Sequence, residues 1–252
     1  MRLTVLGCSG SVPGPESPAS GYLVQAGDTS VALDLGNGTL GALQRHLDPF
    51  TLGGLLLSHL HPDHCADVSA MTVYRRYHPD PTPHARLPLY GPGDAAERLA
   101  AAYAPNAKER VTTDLSDVYD FRTYNAEASV GPIQVRAAPV VHPCEAYALR
   151  LHHEGKTLVY SGDTGPCRAL PELATGADVL LAEASWPDHP DNPPDIHLSG
   201  KQAGEAATQA GVGRLLITHV PPWTDPARVL AEAKAAFDGP VELVCPGAWY
   251  DI

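Results

Sequence analysis

The sequence predicts an α/β protein of four layers, αββα, in which two mixed sheets face each other and helices cover both outer surfaces. Three observations predict it. Short apolar runs such as Leu3–Leu6, Gly53–Leu57 and Ala177–Glu183 are too brief for helices and read as buried strands. Strands alternate with helical stretches near both ends of the chain and hairpins lie between, which describes two similar halves. No linker or low-complexity segment divides those halves, so residues 1–252 read as one domain.

A chain of 252 residues with 44% hydrophobic content can bury a sizeable core. The formal charge of −12, with His neutral, argues against a nonspecific grip on nucleic acid, which depends on Lys and Arg neutralising phosphates. It does not exclude a phosphate substrate, because bound metal ions invert the local field. No apolar stretch reaches the roughly 20 residues that span a bilayer, and the N-terminus opens as a strand rather than as a signal peptide. Five scattered cysteines, Cys8, Cys65, Cys144, Cys167 and Cys245, lack any Cys-x-x-Cys pair. They suit a reducing cytoplasm and read as small core residues, with Cys65, Cys144 and Cys167 close enough in sequence to polar strand ends to line a pocket.

Leu3–Leu6 forms the first strand, and prolines 13, 15 and 18 keep the stretch up to Ser20 irregular. Tyr22–Gln25 and Val31–Leu35 make a hairpin through Gly27-Asp28. Asp34–Thr39 then turns sharply into a helix over Thr39–His46. Leu55–Leu57 is a buried parallel strand and Val68–Tyr77 a helix. Prolines 79, 81, 83 and 88 break the chain around strand Leu87–Tyr90, and Asp94–Tyr103 is an Ala-rich helix with an acidic first turn. Asp114–Tyr124 has no clear period and reads as a passage from helix to strand. Ile133–Val141 is a strand ending at His142-Pro143, and Ala146–His152 pairs with Thr157–Ser161 across Glu154-Gly155. Strand Ala177–Glu183, a Pro-rich loop over Trp186–Ile196 and a helix Ser199–Gly211 capped by Ser199 follow. Strand Leu215–Thr218, helix Asp225–Phe237 and strand Val241–Cys245 end the chain.

Polar residues gather where these strands stop. Ser58–Cys65, Ser-His-Leu-His-Pro-Asp-His-Cys, places His59, His61, Asp63 and His64 straight after a buried strand, so three imidazoles and a carboxylate arrive together on one loop. Neutral imidazole and carboxylate suit zinc, with manganese or iron as alternatives. His142, Asp163 and His219 each end a further apolar strand, the place where α/β architectures carry ligands. Together they form the inventory for two adjacent divalent ions. One would take His59, His61 and His142, the other Asp63, His64 and His219, with Asp163 bridging. Asp34, also at a strand end, reads either as a turn residue or as a group orienting the metal loop. The remaining histidines, His46, His78, His84, His152, His153 and His189, read as surface residues.

The segments Ser58–His64, Val141-His142, Tyr160–Thr164 and Ile217–His219, spread over nearly the whole chain, resemble the metallo-β-lactamase-fold hydrolases. The resemblance implies that fold and the same ligand roles. A narrower likeness is to the ribonuclease Z and phosphodiesterase branch. Asp34-Leu35-Gly36-Asn37-Gly38-Thr39 is similar to its early Asp-Gly turn, Glu183-Ala184-Ser185 to its Glu-Ala-Thr motif, and His197-Leu198-Ser199 with Gln202-Ala203 to its later His motif. In that branch the Glu and His pair, and the His acts near the scissile phosphate. The chemistry agrees: a leaving alkoxide needs a proton or a positive group, and a His197 held by Glu183 supplies either.

The nucleases of the branch carry a long basic arm between the third His and the bridging Asp. Here only residues 143–162 separate His142 from Asp163, and a hairpin consumes them. With the acidic balance, this favours a small phosphodiester over RNA. Leu6–Ser11, Arg75–Pro79 and Pro221-Pro222-Trp223 look closest to the bacterial cyclic-AMP phosphodiesterases of the superfamily.

The expected enzyme is therefore a metal-dependent phosphodiesterase acting on a 3′,5′-cyclic nucleotide through in-line attack of a metal-bridging hydroxide. Asp63, His197 and Glu183 are its catalytic residues, and Asp63 also orients or accepts the hydroxide proton. Alternatives are a ribonuclease Z-like transfer-RNA nuclease, or a lactamase, thioesterase or arylsulfatase, which has no need of the Glu183–His197 pair. A catalytically idle metal-binding protein is a further class, disfavoured by the full ligand set. Trp186 and Trp223 read first as packing residues and second as stacking platforms for the base. A small phosphodiester is the expected partner, without nucleic acid or membrane, with a homodimer left open and a cytoplasmic location.

Overall fold

The computed structural model describes residues 1–79, 85–124 and 128–252. Strands β1 (Arg2–Gly7), β2 (Gly21–Ala26) and β3 (Thr29–Leu33) form an antiparallel meander, which continues in parallel through β4 (Gly54–Leu56), β5 (Leu87–Gly91) and β6 (Tyr119–Thr123). The second sheet repeats this plan. Strands β7 (Ala128–Val130), β8 (Ile133–Pro139), β9 (Tyr147–His153) and β10 (Lys156–Tyr160) are antiparallel, and β11 (Val179–Glu183), β12 (Arg214–Thr218) and β13 (Val241–Leu243) run parallel beyond them. A last strand, β14 (Trp249–Asp251), returns to the first sheet and pairs with β1. Among the described residues each sheet has seven strands.

Side-chain alternation divides the core into three layers. Tyr22, Val24, Val31, Leu33 and Leu56 point between the sheets, where they meet Leu149, Leu151, Leu158, Tyr160 and Leu181. Their neighbours Leu23, Ala32, Leu55 and Leu57 point outward, under helices α1 (Thr39–Leu43), α3 (Asp67–Tyr77) and α4 (Ala95–Tyr103). A one-turn helix, α2 (Pro62–Cys65), lies between α1 and α3 in the chain. Helices α5 (Ala169–Ala174), α6 (Gly200–Ala210) and α7 (Pro226–Ala236) cover the other sheet, packing Leu170, Ala203, Ala207, Val229 and Ala233 onto Leu180, Ala182, Leu215 and Ile217. Period-2 burial on both faces of a strand explains why these runs read as almost continuously apolar.

The structure departs from the sequence-based expectation at several places. Helix α1 stops at Leu43, and Arg45 and His46 close tighter turns onto Ala42 and Leu43. Only Tyr119–Thr123 of the ambiguous stretch is a strand. The residues before it form a turn held by Arg76, which donates to the Asp114 carbonyl and to the Asp117 carboxylate. Strands β7 and β14 have three residues each and helix α5 contains Pro171, so none offers a periodic signal long enough to read. Of the histidines read as surface residues, His46, His78 and His189 are exposed, His152 and His153 are half-buried, and His84 lies outside the described residues, as do Pro81 and Pro83. Only Cys65 of the five cysteines is buried. Cys144 and Cys245 are exposed, which corrects their reading as core residues.

Candidate metal centre

The parallel strands of both sheets end at one rim. Beyond β4, Ser58 to Cys65 runs through a tight loop into α2, and this puts His59, His61, Asp63 and His64 over the inter-sheet core. The Asp34–Thr39 turn presses against that loop from below. Leu35 N–H donates to the His64 carbonyl at 2.7 Å, and a Cβ at Gly36 would collide with the Asp63 carbonyl oxygen. On the second sheet, His142 follows β8, Gly162 (φ 58°) turns the chain after β10 to present Asp163, and His219 follows β12. Four described non-glycine residues have positive φ, and Ser11, Asp34 and His219 are three of them. Ser11 N–H stands 3.4 Å from His219 Nε2. Backbone strain is thus concentrated at this rim, as is common where a site must be held in one geometry.

The structure brings all seven expected ligand residues together in two groups. His61 Nδ1 lies 3.1 Å from both His59 Nε2 and His142 Nε2, and Asp163 Oδ2 is 3.6 Å from His59 Nε2. In the second group His64 Nε2 and His219 Nε2 are 3.2 Å apart. Asp63 Oδ2 is 3.4 and 3.2 Å from these two nitrogens, and Asp163 Oδ1 is 3.2 and 3.4 Å from them. Donors at the zinc–ligand distance stand about 3.3 Å apart along the edges of a tetrahedron. Both groups have these dimensions, and each takes one oxygen of Asp163. Asp163 Oδ1 is fully buried without a hydrogen-bond partner, and a single ring nitrogen of His61 cannot pair well with two others. A cation at each centre satisfies both, so the residues fit two ions.

Electrostatics point the same way. Burial opposes charge on His64, yet the Asp163 and Asp34 carboxylates hold its imidazole well above the usual range. Burial and the nearby His64 push His59 well below it. Burial works against ionisation of Asp163 too, but His219, His64 and His59 keep its carboxyl well below the ordinary value. A site whose carboxylates draw positive charge into a dry enclosure is ready for a divalent ion.

The nitrogen of each imidazole that faces away from the centre also has a neighbour. His64 Nδ1 donates to Asp34 Oδ2 at 2.8 Å, and His142 Nδ1 to the Ile196 carbonyl at 2.9 Å. His59 Nδ1 meets Ser58 Oγ and His219 Nδ1 meets Ser185 Oγ, both at 3.1 Å. His61 Nε2 faces the Cys144 thiol at 3.9 Å. Asp34 orients the loop rather than merely making a turn: its buried carboxylate also accepts from Ser58 N–H, Ser58 Oγ and Tyr160 OH at 2.7–2.8 Å. Asp34→Ala is expected to destabilise the protein by about 3–5 kcal/mol, the range for removing one partner of a buried ionic contact. Asp34→Asn, which tolerates the left-handed backbone, should lose less. Chemical denaturation checks this, and an alanine variant as stable as the parent would dismiss the orienting role.

Beside the second group, His197 Nδ1 donates to Glu183 Oε1 at 2.9 Å. Burial disfavours the imidazolium, but the Glu183 carboxylate outweighs it and lifts His197 to about 9. Its ring lies 5.3 Å from that of His219 and 5.6 Å from that of His142, centre to centre. Trp186 packs edge-on against His197 at 5.2 Å, whereas Trp223 is 69% exposed and touches none of these rings. The sequence alone assigns no role to Ser58, Tyr160, Thr164 or Ser185. Their only signal there was membership of the segments that carry the ligands.

Residues 29–220 match the family described as the beta-lactamase superfamily domain, and the chain belongs to that superfamily. A protein of Mycobacterium leprae is 53% identical over 256 residues, covering all of this chain and 89% of its own length. Ribonuclease Z of Mycobacterium bovis is 30% identical over 271 residues, with 96% of this chain and 95% of its own covered. The crystal structure of the metallo-β-lactamase-fold protein YhfI from Bacillus subtilis matches with a TM-score of 0.86 and 27% identity over 99% of both chains. That protein is named a probable metallo-hydrolase. The short form of human tRNase Z matches with a TM-score of 0.76 at 17% identity over 100% of this chain and 99% of its own, a likeness of fold alone. The architecture is thus the metallo-β-lactamase fold, and the protein is a metallo-hydrolase with His and Asp clusters able to hold metal ions. No described helix is long and apolar enough to cross a membrane.

Proposed function

We propose that the protein hydrolyses a small phosphodiester, with a 3′,5′-cyclic nucleotide such as cyclic AMP as the leading substrate. The observation that carries this reading is the His197–Glu183 pair, with Nδ1 held at 2.9 Å from the carboxylate on the rim of the two ligand groups. A thiolate leaving a thioester has no need of such an additional acid, whereas an alkoxide leaving a phosphate does. His59, His61 and His142 would hold one ion, Asp63, His64 and His219 the other, and Asp163 would bridge them. Zinc suits this donor set best, with manganese or iron(II) as alternatives. When bound, two such ions supply a water of lowered pKa and charge compensation for the phosphoryl oxygens.

The chain's own residues do the rest. Asp63 is ionised: burial opposes this, but hydrogen bonds from His219 and His64 hold its carboxyl well below the ordinary range, so it suits orienting a water at the centre better than taking its proton. His197 protonates or electrostatically supports the departing 3′-oxygen, and Glu183 keeps its ring in place. Residues 143–162 support a small substrate, because they turn directly through Glu154-Gly155 between β9 and β10 and carry no extended arm. The charge of −12 also opposes RNA. Five unpaired cysteines suit a reducing compartment such as the cytoplasm.

The likeness to ribonuclease Z favours a second reading, a transfer-RNA 3′-processing nuclease. Metal-loaded protein offered cyclic nucleotides, a bis-aryl phosphate, precursor transfer RNA and a cephalosporin separates the readings. Turnover of cyclic AMP with little RNA processing is the expected result. Efficient 3′ trimming at low salt without activity on cyclic AMP would replace the phosphodiesterase by the nuclease.

A further inference from the structure

The two halves of the centre use the same orienting device. In the first, the buried Ser58 hydroxyl stands between His59 Nδ1 (3.1 Å) and Asp34 Oδ2 (2.8 Å), and the same carboxylate oxygen holds a second imidazole, His64. In the second, the buried Ser185 hydroxyl stands between His219 Nδ1 (3.1 Å) and Glu183 Oε2 (3.1 Å), and the other oxygen of that carboxylate holds His197. A hydroxyl has one hydrogen. Given to the carboxylate, it leaves the serine oxygen to accept from the imidazole N–H, which turns the opposite nitrogen, with its lone pair, toward the centre. Each serine thereby fixes a tautomer and a ring orientation. The halves differ in what hangs on the carboxylate: His64 in the first belongs to the proposed ligand set, while His197 in the second stands outside it.

We infer that Ser185 is a positioning residue shared by both functions of the centre, orienting His219 as a ligand and Glu183 as the support of His197. The His197 part rests on the phosphodiesterase reading. Ser185 is well placed for the task. It is 2% exposed, its N–H donates to the Leu198 carbonyl at 3.0 Å, and its own carbonyl accepts from Thr224 Oγ1 at 2.9 Å. The hydroxyl therefore projects from a fixed backbone, and removing it leaves those anchors intact. Glu183 Oε1 also accepts from Thr164 N–H at 2.8 Å, next to Asp163 in the chain, so three parts of the rim converge on this carboxylate.

The test compares Ser185→Ala and Ser185→Thr with the parent in two measurements. The first is zinc affinity, read by competition with a chromophoric chelator without any substrate. Ser185→Ala is expected to weaken one of two bound ions about 10- to 100-fold, the usual effect of losing an outer partner of a ligand. Ser185→Thr, which keeps the hydroxyl, should restore it. The second is turnover of a cyclic nucleotide against that of a bis-nitrophenyl phosphate at saturating zinc. Ser185→Ala should lose more on the poor leaving group, the signature of a misplaced His197, and threonine should again recover it. Parent-like affinity for both ions in Ser185→Ala would overturn the inference, as would an equal loss on both substrates. A parent protein inactive on every phosphodiester would instead end the functional reading, and the zinc measurement would still decide whether Ser185 orients His219.

Discussion

Asp163→Ala is expected to reduce turnover to background and to lower the bound metal from two ions to at most one per chain. Asp163 alone contributes to both ligand groups, one carboxylate oxygen to each, and it is 2% exposed, so water cannot readily replace either oxygen. Without metal, the substitution removes a buried carboxylate that His219, His64 and His59 hold in its charged form. Part of the loss of stability should therefore appear already in the metal-free state, and a further part only when metal is added. A bound ion at a hundredfold excess over its Kd stabilises the native state by about 2.7 kcal/mol, so the parent should show a thermal shift that the variant lacks. Elemental analysis and thermal melts with and without zinc read both effects. A variant that keeps two ions and measurable turnover would remove Asp163 from its bridging role.

His197→Ala should keep its metal and lose roughly 100- to 10,000-fold in turnover, the range for one acid–base group. The loss should be largest for a cyclic nucleotide, whose alkoxide leaves poorly, and much smaller for an activated nitrophenyl ester. Glu183→Gln should follow the same pattern more mildly, because a glutamine oxygen can still accept from His197 and Thr164 while the charge that supports the imidazolium is gone. Steady-state rates on substrates of graded leaving-group pKa, beside metal analysis, decide the matter. Equal losses across the series with metal retained would assign His197 to substrate binding or packing.

The architecture and the coming together of the seven candidate ligand residues were legible because both are written locally. An apolar strand of three to five residues that stops at a His or Asp tells its own story, and His59 to His64 tell it within six positions. The orienting contacts were not legible. Asp34 meets Ser58 across 24 positions, His64 across 30 and Tyr160 across 126. No periodicity encodes such pairs; they exist only once the two sheets have met. The cysteines show the converse: Cys144 and Cys245 are small and apolar enough to read as core, but they fall on loops, where backbone path rather than residue type sets exposure. β14 is equally illegible, because three residues pairing with β1 are fixed by a partner at the opposite end of the chain.

The tight turn at Glu154-Gly155 has a consequence for how such a centre can change. Its residues have φ of 49° and 77°, the left-handed pair that reverses an antiparallel ladder with almost no loop. The path from His142 to Asp163 is thus close to the shortest that two paired strands permit. Closing a longer loop there would cost only about 0.6 kcal/mol for each doubling of its length, and β9 and β10 would still deliver both ends to the same places. The ligand geometry is therefore nearly indifferent to chain inserted at this point, while access to the rim is not. Chain length at one hairpin can change what reaches the centre and leave the surroundings of its His and Asp side chains as they are.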